Sequence, residues 1–171
     1  GVATGLAEYQ LNLDVSQMLQ QELLNRGYQV VMIRTTNDCA MSNAERAVYA
    51  NESGAEIFVR IHANSSNDPS VNGAMFYAPS ANSYLSADVI SASNTLASTM
   101  LSFYCSTTGL ANKGVLQDDN MTGINWCTIP VTIVEMGFMS NPEEDQKMAN
   151  PEFQAVIAQG LANGIDAYFG R

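Results

Sequence analysis

Four short apolar runs punctuate the chain: Tyr28–Ile33, Ile57–Ile61, Gly73–Tyr77 and Val131–Val134. Stretches of helical spacing or dense polarity separate them. Runs of this length, rich in Val and Ile, read as strands. Helical spacing marks the first and third intervals, and the polar stretch Asn64–Asn72 in the second reads as a loop. This alternation restricts the fold to an α/β architecture with a twisted, mostly parallel (mixed) sheet sandwiched between helices.

Local signals supply the helices. Leu11, Val15, Met18 and Leu19 recur at helical spacing within a helix predicted over residues 6–26, and Gly27 suits its left-handed stop. Ser42 and Glu45 form an S-x-x-E capping box for a second helix that stops at Gly54. Strand 28–33, this helix and strand 56–62 together predict a parallel βαβ unit. A long helix is predicted over residues 83–104. Residues 106–128 are rich in Gly, Asn, Asp and Thr and read as a long surface connection, with a short strand near Val115. Asn141-Pro142 and Asn150-Pro151 are cap-plus-first-turn signals for two closing helices. No repeat or linker divides the 171 residues, so one domain is predicted over the whole chain.

Charge narrows the partners. Seventeen acidic residues against seven basic ones give a formal charge of -10, which disfavours nucleic acid and anionic membrane surfaces. No segment approaches the ~20 apolar residues of a membrane span. Cys39, Cys105 and Cys127 match no zinc-ribbon or redox spacing. They read as apolar thiols, or as a Cys105–Cys127 bridge if the chain is exported.

Three residues are candidates for chemistry. His62 is the single histidine, and it ends the second apolar run just before Asn64. Ligands of open α/β sheets gather beyond such carboxyl ends. Glu135 follows Val131–Val134 directly. A carboxylate among apolar residues is costly unless paired, metal-bound or protonated, and burial lifts its pKa toward the acid–base range. Glu8 opens the first helix, where a carboxylate also suits the helix dipole. Each has a plainer structural reading: a dipole partner, a satisfied core imidazole, a strand-end carboxylate that reaches water. Taken together, they suggest a metal site served by a neighbouring acid–base group.

The segments A-E-Y-Q-L-N-L (7–13), G-Y-Q-V-V-M-I-R (27–34), R-x-x-x-A-N (46–51), I-H-A-N (61–64) and V-E-M-G-F-M-S-N (134–141) occur in this order. The ordered set resembles the zinc-dependent N-acetylmuramoyl-L-alanine amidases, and the likeness spans nearly all of the chain. The resemblance implies Zn2+ held by Glu8 and His62 and Glu135 as catalytic acid–base; Asn64, just past the strand-end His62, is a candidate substrate contact. It implies hydrolysis of the amide between N-acetylmuramic acid and L-alanine in peptidoglycan, by an exported protein of the cell wall or extracellular space. Other wall-targeting modules in the parent protein are expected as partners.

One departure matters. The family's first strand ends in an Asp-x-Gly-His-Gly-like motif whose histidine is the first zinc ligand, and no such motif or second histidine occurs here. The expectation is that this strand precedes Gly1 in a longer protein. The alternative is a catalytically silent wall-binding or regulatory module that keeps the fold without metal. A Cys–His hydrolase built on Cys39 or Cys127 with His62 lacks a nucleophile motif and leaves Glu135 without a role. A smaller departure is Arg60, where the family often has serine.

Overall fold

The computed structural model describes residues 1–171. In chain order the elements are α1 (Glu8–Asn25), α2 (Asn43–Glu52), β1 (Phe58–Asn64), β2 (Ala74–Ala78), α3 (Ala87–Thr108), β3 (Asn112–Gln117), α4 (Thr122–Asn125), β4 (Val131–Phe138), α5 (Pro142–Met148) and α6 (Pro151–Phe169). The four strands lie in the order β1-β4-β2-β3. β1 runs parallel to β4 and β2 parallel to β3, while β2 and β4 are antiparallel. This is the mixed sheet between helices that the apolar runs predict.

β4 is central, so its residues are covered on both faces. Seven of its eight are fully buried, and Glu135 alone is only partly so. On one face Leu11 and Val15 of α1, Leu96 and Met100 of α3 and Leu161 of α6 join the main core. On the other, Ala47 and Ala50 of α2 and Ile124 of α4 pack with Phe58, Val131 and Ile133. α3 and α6 approach closely because α6 carries Gly164. A Cβ built there would lie 2.6 Å from the Met100 Cα. Such contact admits glycine alone without moving a helix.

The helix signals hold with small shifts. Ser42 and Glu45 make both bonds of the capping box. Asn141 and Asn150 cap α5 and α6, each with proline in the first turn. α3 starts and ends about four residues later than predicted: Ser86 caps the Val89 amide, and Gly109 at φ 71° provides the stop. The 106–128 region is more structured than a surface connection. It holds the end of α3, the edge strand β3 and the short α4.

One expectation fails, and one open alternative is decided. Residues 28–33 form no strand, and no hydrogen bond engages the backbone of residues 29–33. They run extended, but a slot separates them from β1, so the predicted βαβ unit has no ladder between its ends. Apolar, β-branched composition creates strand propensity, whereas a strand exists only where a neighbour accepts its bonds. The cysteines are all free thiols. Cys105 packs against the main core and Cys127 belongs to the cluster on the opposite sheet face, so the sheet stands between them.

Candidate active site

Glu8 is placed by the segment ahead of it. Asp145, fully buried on α5, accepts hydrogen bonds from the Ala3 and Thr4 amides at 2.7 and 2.8 Å and from the Thr4 hydroxyl at 3.0 Å. This clamp fixes the entry into α1, whose first residue is Glu8. Its neighbour Glu144 accepts from the Gly73 amide at 2.6 Å and the Phe138 amide at 2.7 Å, which pins the end of β4. Two buried carboxylates of one short helix thereby anchor two of the three candidate residues. Each satisfies several backbone donors, as burial of a charge demands.

Glu8 Oε1 lies 2.9 Å from His62 Nδ1, accepts from the Asn12 side-chain amide at 3.1 Å and from the Ala63 backbone amide at 3.3 Å. Hydrogen bonding to His62 is the main cause that holds the Glu8 carboxyl down at about 2, against the opposing effect of burial. Both side chains keep contact with solvent, His62 at 35% and Glu8 at 43% exposure.

Glu135 sits in the next strand. In register it partners His62 of β1 on one side and Met75 of β2 on the other, so the three form a row across one sheet face. Burial pushes the Glu135 carboxyl up to about 8, and the nearby Glu8 charge adds to the shift. One fold thus drives two neighbouring carboxyls in opposite directions, and such divergence separates an acid–base group from a permanent anion.

Asn64 lies past the irregularity in the β1–β4 register. Its side-chain amide donates to Met75 Sδ at 3.5 Å, and the Tyr77 hydroxyl donates to the same sulfur at 3.8 Å. Tyr77 lies one row below Glu135; burial raises its phenol, as does the Glu135 charge. Glu8, His62, Glu135 and Asn64 therefore converge at one end of β1 and β4.

Tyr77, Asn12 and the α5 clamp escaped the sequence reading. Asn12 was within reach, since four residues of helix place it over Glu8. Tyr77 shares the alternation of Met75 along β2, a weak signal without the pairing. Asp145 and Glu144 look like ordinary first-turn carboxylates of α5 and reveal nothing until their distant amides are known.

Carboxylate oxygen and imidazole nitrogen are fitting zinc donors. Glu8 and His62 offer two that already touch, and no group of three or more His, Cys, Asp or Glu side chains assembles in this chain. The chemistry and contact of Glu8 and His62 fit two members of a zinc donor set.

Comparison with known proteins agrees with the order of motifs. Residues 1–167 match the N-acetylmuramoyl-L-alanine amidase family. The chain is 30% identical to the uncharacterized protein YqiI of Bacillus subtilis over 98% of its own length and 77% of that protein. It is 27% identical to the N-acetylmuramoyl-L-alanine amidase LytC of the same organism, covering 98% of this chain but 32% of LytC. Among solved structures, the catalytic domain of the amidase CwlV from Bacillus (Paenibacillus) polymyxa superposes with a TM-score of 0.87 at 28% identity, over 99% of this chain and 89% of that one. An N-acetylmuramoyl-L-alanine amidase from Clostridium difficile 630 does so with a TM-score of 0.88 at 28% identity, over 98% and 86%. With its ordered motifs, its mixed sheet and its carboxylate–imidazole row, the chain belongs to the N-acetylmuramoyl-L-alanine amidase family.

Proposed function

We propose that the site cleaves the amide between the lactyl group of N-acetylmuramic acid and L-alanine in peptidoglycan, with Glu135 as acid–base. The observation that carries this reading is geometric: His62 and Glu135 stand in register across β1 and β4, Glu8 Oε1 lies 2.9 Å from His62 Nδ1, and burial raises the Glu135 carboxyl. A group poised near neutral pH can take a proton from the attacking water and return it to the departing amine of L-alanine. Glu8 and His62 would hold Zn2+, with a further donor from outside these residues. When bound, zinc supplies the charge that polarises the scissile carbonyl and acidifies water. Asn64, at the rim of the same row, would contact the substrate, and Tyr77 would wall the Glu135 carboxyl from bulk water. The protein would act outside the cell, at the wall. Wall targeting would come from other modules of a parent protein.

The test uses purified peptidoglycan and two proteins, this chain and one extended at its N-terminus. Zinc content and release of L-alanine amino groups are measured for each. The extended protein should bind one zinc and release amino groups, and Glu135→Gln should slow release by about 10²–10⁴-fold while zinc stays bound. An extended protein that folds but binds no zinc would leave the silent wall-binding module as the better reading. Full activity in Glu135→Gln would remove Glu135 from the chemistry.

A further inference from the structure

Two strong hydrogen-bond donors beside Glu135 converge on one weak acceptor. The Asn64 side-chain amide donates to Met75 Sδ at 3.5 Å, and the Tyr77 hydroxyl donates to the same atom at 3.8 Å. Met75 is the register partner of Glu135, so this sulfur belongs to the row that holds the acid–base candidate. A thioether accepts hydrogen bonds poorly, and little is lost when such donors exchange it for an oxygen. Two donors aimed at a single point describe a place for one acceptor atom.

Bonds that do not consume the donors hold them in place. Asn64 Oδ1 accepts from the Ser65 amide at 2.7 Å, which turns the NH2 toward the sulfur. The Asn64 carbonyl accepts from the Met139 amide at 2.8 Å, and the Tyr77 carbonyl accepts from the Thr132 hydroxyl at 3.0 Å. Both backbones are thus pinned, yet neither donor is. An amide NH2 has a second hydrogen, and a phenol O–H swings about its own C–O bond. Charge selects the acceptor. Burial raises the Tyr77 phenol, as do the charges of Glu135 and Asp118, so the hydroxyl keeps its proton. Both of those charges are carboxylates, so an anionic oxygen would meet like charge where a neutral carbonyl would not. Position then separates this acceptor from the scissile carbonyl. The strand order places β4 between His62 on β1 and Tyr77 on β2, about 10 Å from one outer strand to the other. An oxygen beside Glu8 and His62 is therefore a different oxygen from one at Tyr77.

We propose that Asn64 Nδ2 and Tyr77 Oη form a two-donor cradle that exchanges the Met75 sulfur for one neutral amide carbonyl flanking the scissile bond of the substrate. This rests on the amidase reading given above and adds to it the group by which substrate is held. Two carbonyls of a muramyl peptide have this chemistry: the acetamido carbonyl of the sugar and the carbonyl of L-alanine. Holding either one fixes the substrate about a second point, so that the amide to be cut faces Glu135. Tyr77 is then a substrate-binding residue in its own right, beyond its part as a wall.

The experiment is a magnetic-resonance titration that follows the Asn64 side-chain amide and the Met75 methyl group. The probe is N-acetylmuramoyl-L-alanyl-D-isoglutamine, added to this chain and to the N-terminally extended protein carrying Glu135→Gln, which slows cleavage. Both signals should shift and saturate. Tyr77→Phe, which keeps the ring, and Asn64→Asp, which keeps the Ser65 bond, should each weaken binding by about 3–10-fold. Together they should cost less than the product of the two, because they share one oxygen. Two analogues locate that oxygen. One ends in an N-isopropyl amide in place of L-alanine and all that follows; the other has hydrogen in place of the acetamido group. Whichever lacks the bound carbonyl should lose its sensitivity to Tyr77→Phe, while the other keeps it. Sensitivity retained by both analogues would assign the donors to the scissile carbonyl and overturn the proposal. So would binding that leaves Asn64 and Met75 unshifted, dipeptide affinity unchanged by Tyr77→Phe, or no binding by either protein. Hydrolysis is scored apart, on the extended protein with Glu135 intact. Cradle binding without amino-group release would sink the amidase reading alone, and release without any effect of Tyr77→Phe on binding would sink the cradle alone.

Discussion

The sheet has two unlike sides. From β4 toward β2 and β3, every strand has its ladder, and the α3–α6 pair seals the face. From β1 outward, the backbone faces a cleft and residues 28–33 wait beyond it. The closed side shows what holds this fold: packing around β4, with Phe76 and Tyr104 in contact at 5.8 Å between ring centroids. The open side shows that strand-forming sequence does not make a strand without a partner. The site lies at the seam, with Glu135 on the closed strand and His62 on the half-open one. This explains why Glu135 is buried enough to be shifted while His62 and Glu8 remain accessible.

The largest expected effect tests the seam itself. In an active, N-terminally extended protein, Glu135→Gln should lower kcat for amino-group release by about 10²–10⁴-fold. Far-ultraviolet circular dichroism should stay unchanged, since Gln keeps the shape.

Core truncation then compares the two sides directly. Phe76 is fully buried on the closed side, so Phe76→Ala should cost about 3–5 kcal/mol in urea unfolding. Val31→Ala on the far wall of the slot should cost less than ~1 kcal/mol, because Val31 is 48% exposed and leaves little cavity. Equal losses would mean that the slot is closed in solution. Gly164→Ala should fall between them, at about 1–3 kcal/mol, because its Cβ would meet the Met100 backbone.

Acid–base linkage offers a finer comparison. The Glu135 carboxyl rises from 4.5 to about 8 on folding, so the folded state holds a proton that the unfolded chain has released. Its stabilising contribution is full below about pH 4.5 and is lost as pH rises through about 8. Unfolding free energies from urea titration should therefore fall between pH 5 and pH 9 for the natural chain, by on the order of a few kcal/mol. Glu135→Gln should flatten that decline. Glu8 acts with the opposite sign: its lowered carboxyl stabilises above about 4.5 and ceases to do so as pH falls through about 2. That effect should be the smallest, since the group is well exposed and solvent screens it. A Glu8→Gln variant should lose part of its advantage at pH 6 and none at pH 2.

Much of this was legible in residues 1–171 read alone. Ser42–Glu45, Asn141-Pro142 and Asn150-Pro151 declare helix starts through bonds that span three residues or fewer, so sequence contains both partners. Glu8, His62 and Glu135 could be singled out because each interrupts or ends an apolar pattern. Their convergence could not, since it depends on β1 and β4 lying side by side although about 70 residues separate them in the chain.

Tertiary structure decided the rest. The sequence determined which segments prefer to be helical or extended, because propensity, capping and periodicity are local energies. It also determined which residues were chemically unusual for their surroundings. Whether residues 28–33 become a strand, whether Glu135 is driven up to about 8, and whether Asp145 clamps the entry to Glu8 were settled by distant neighbours. A hydrogen bond, a desolvated charge and a ladder each need a second party, and only the folded chain states who that is.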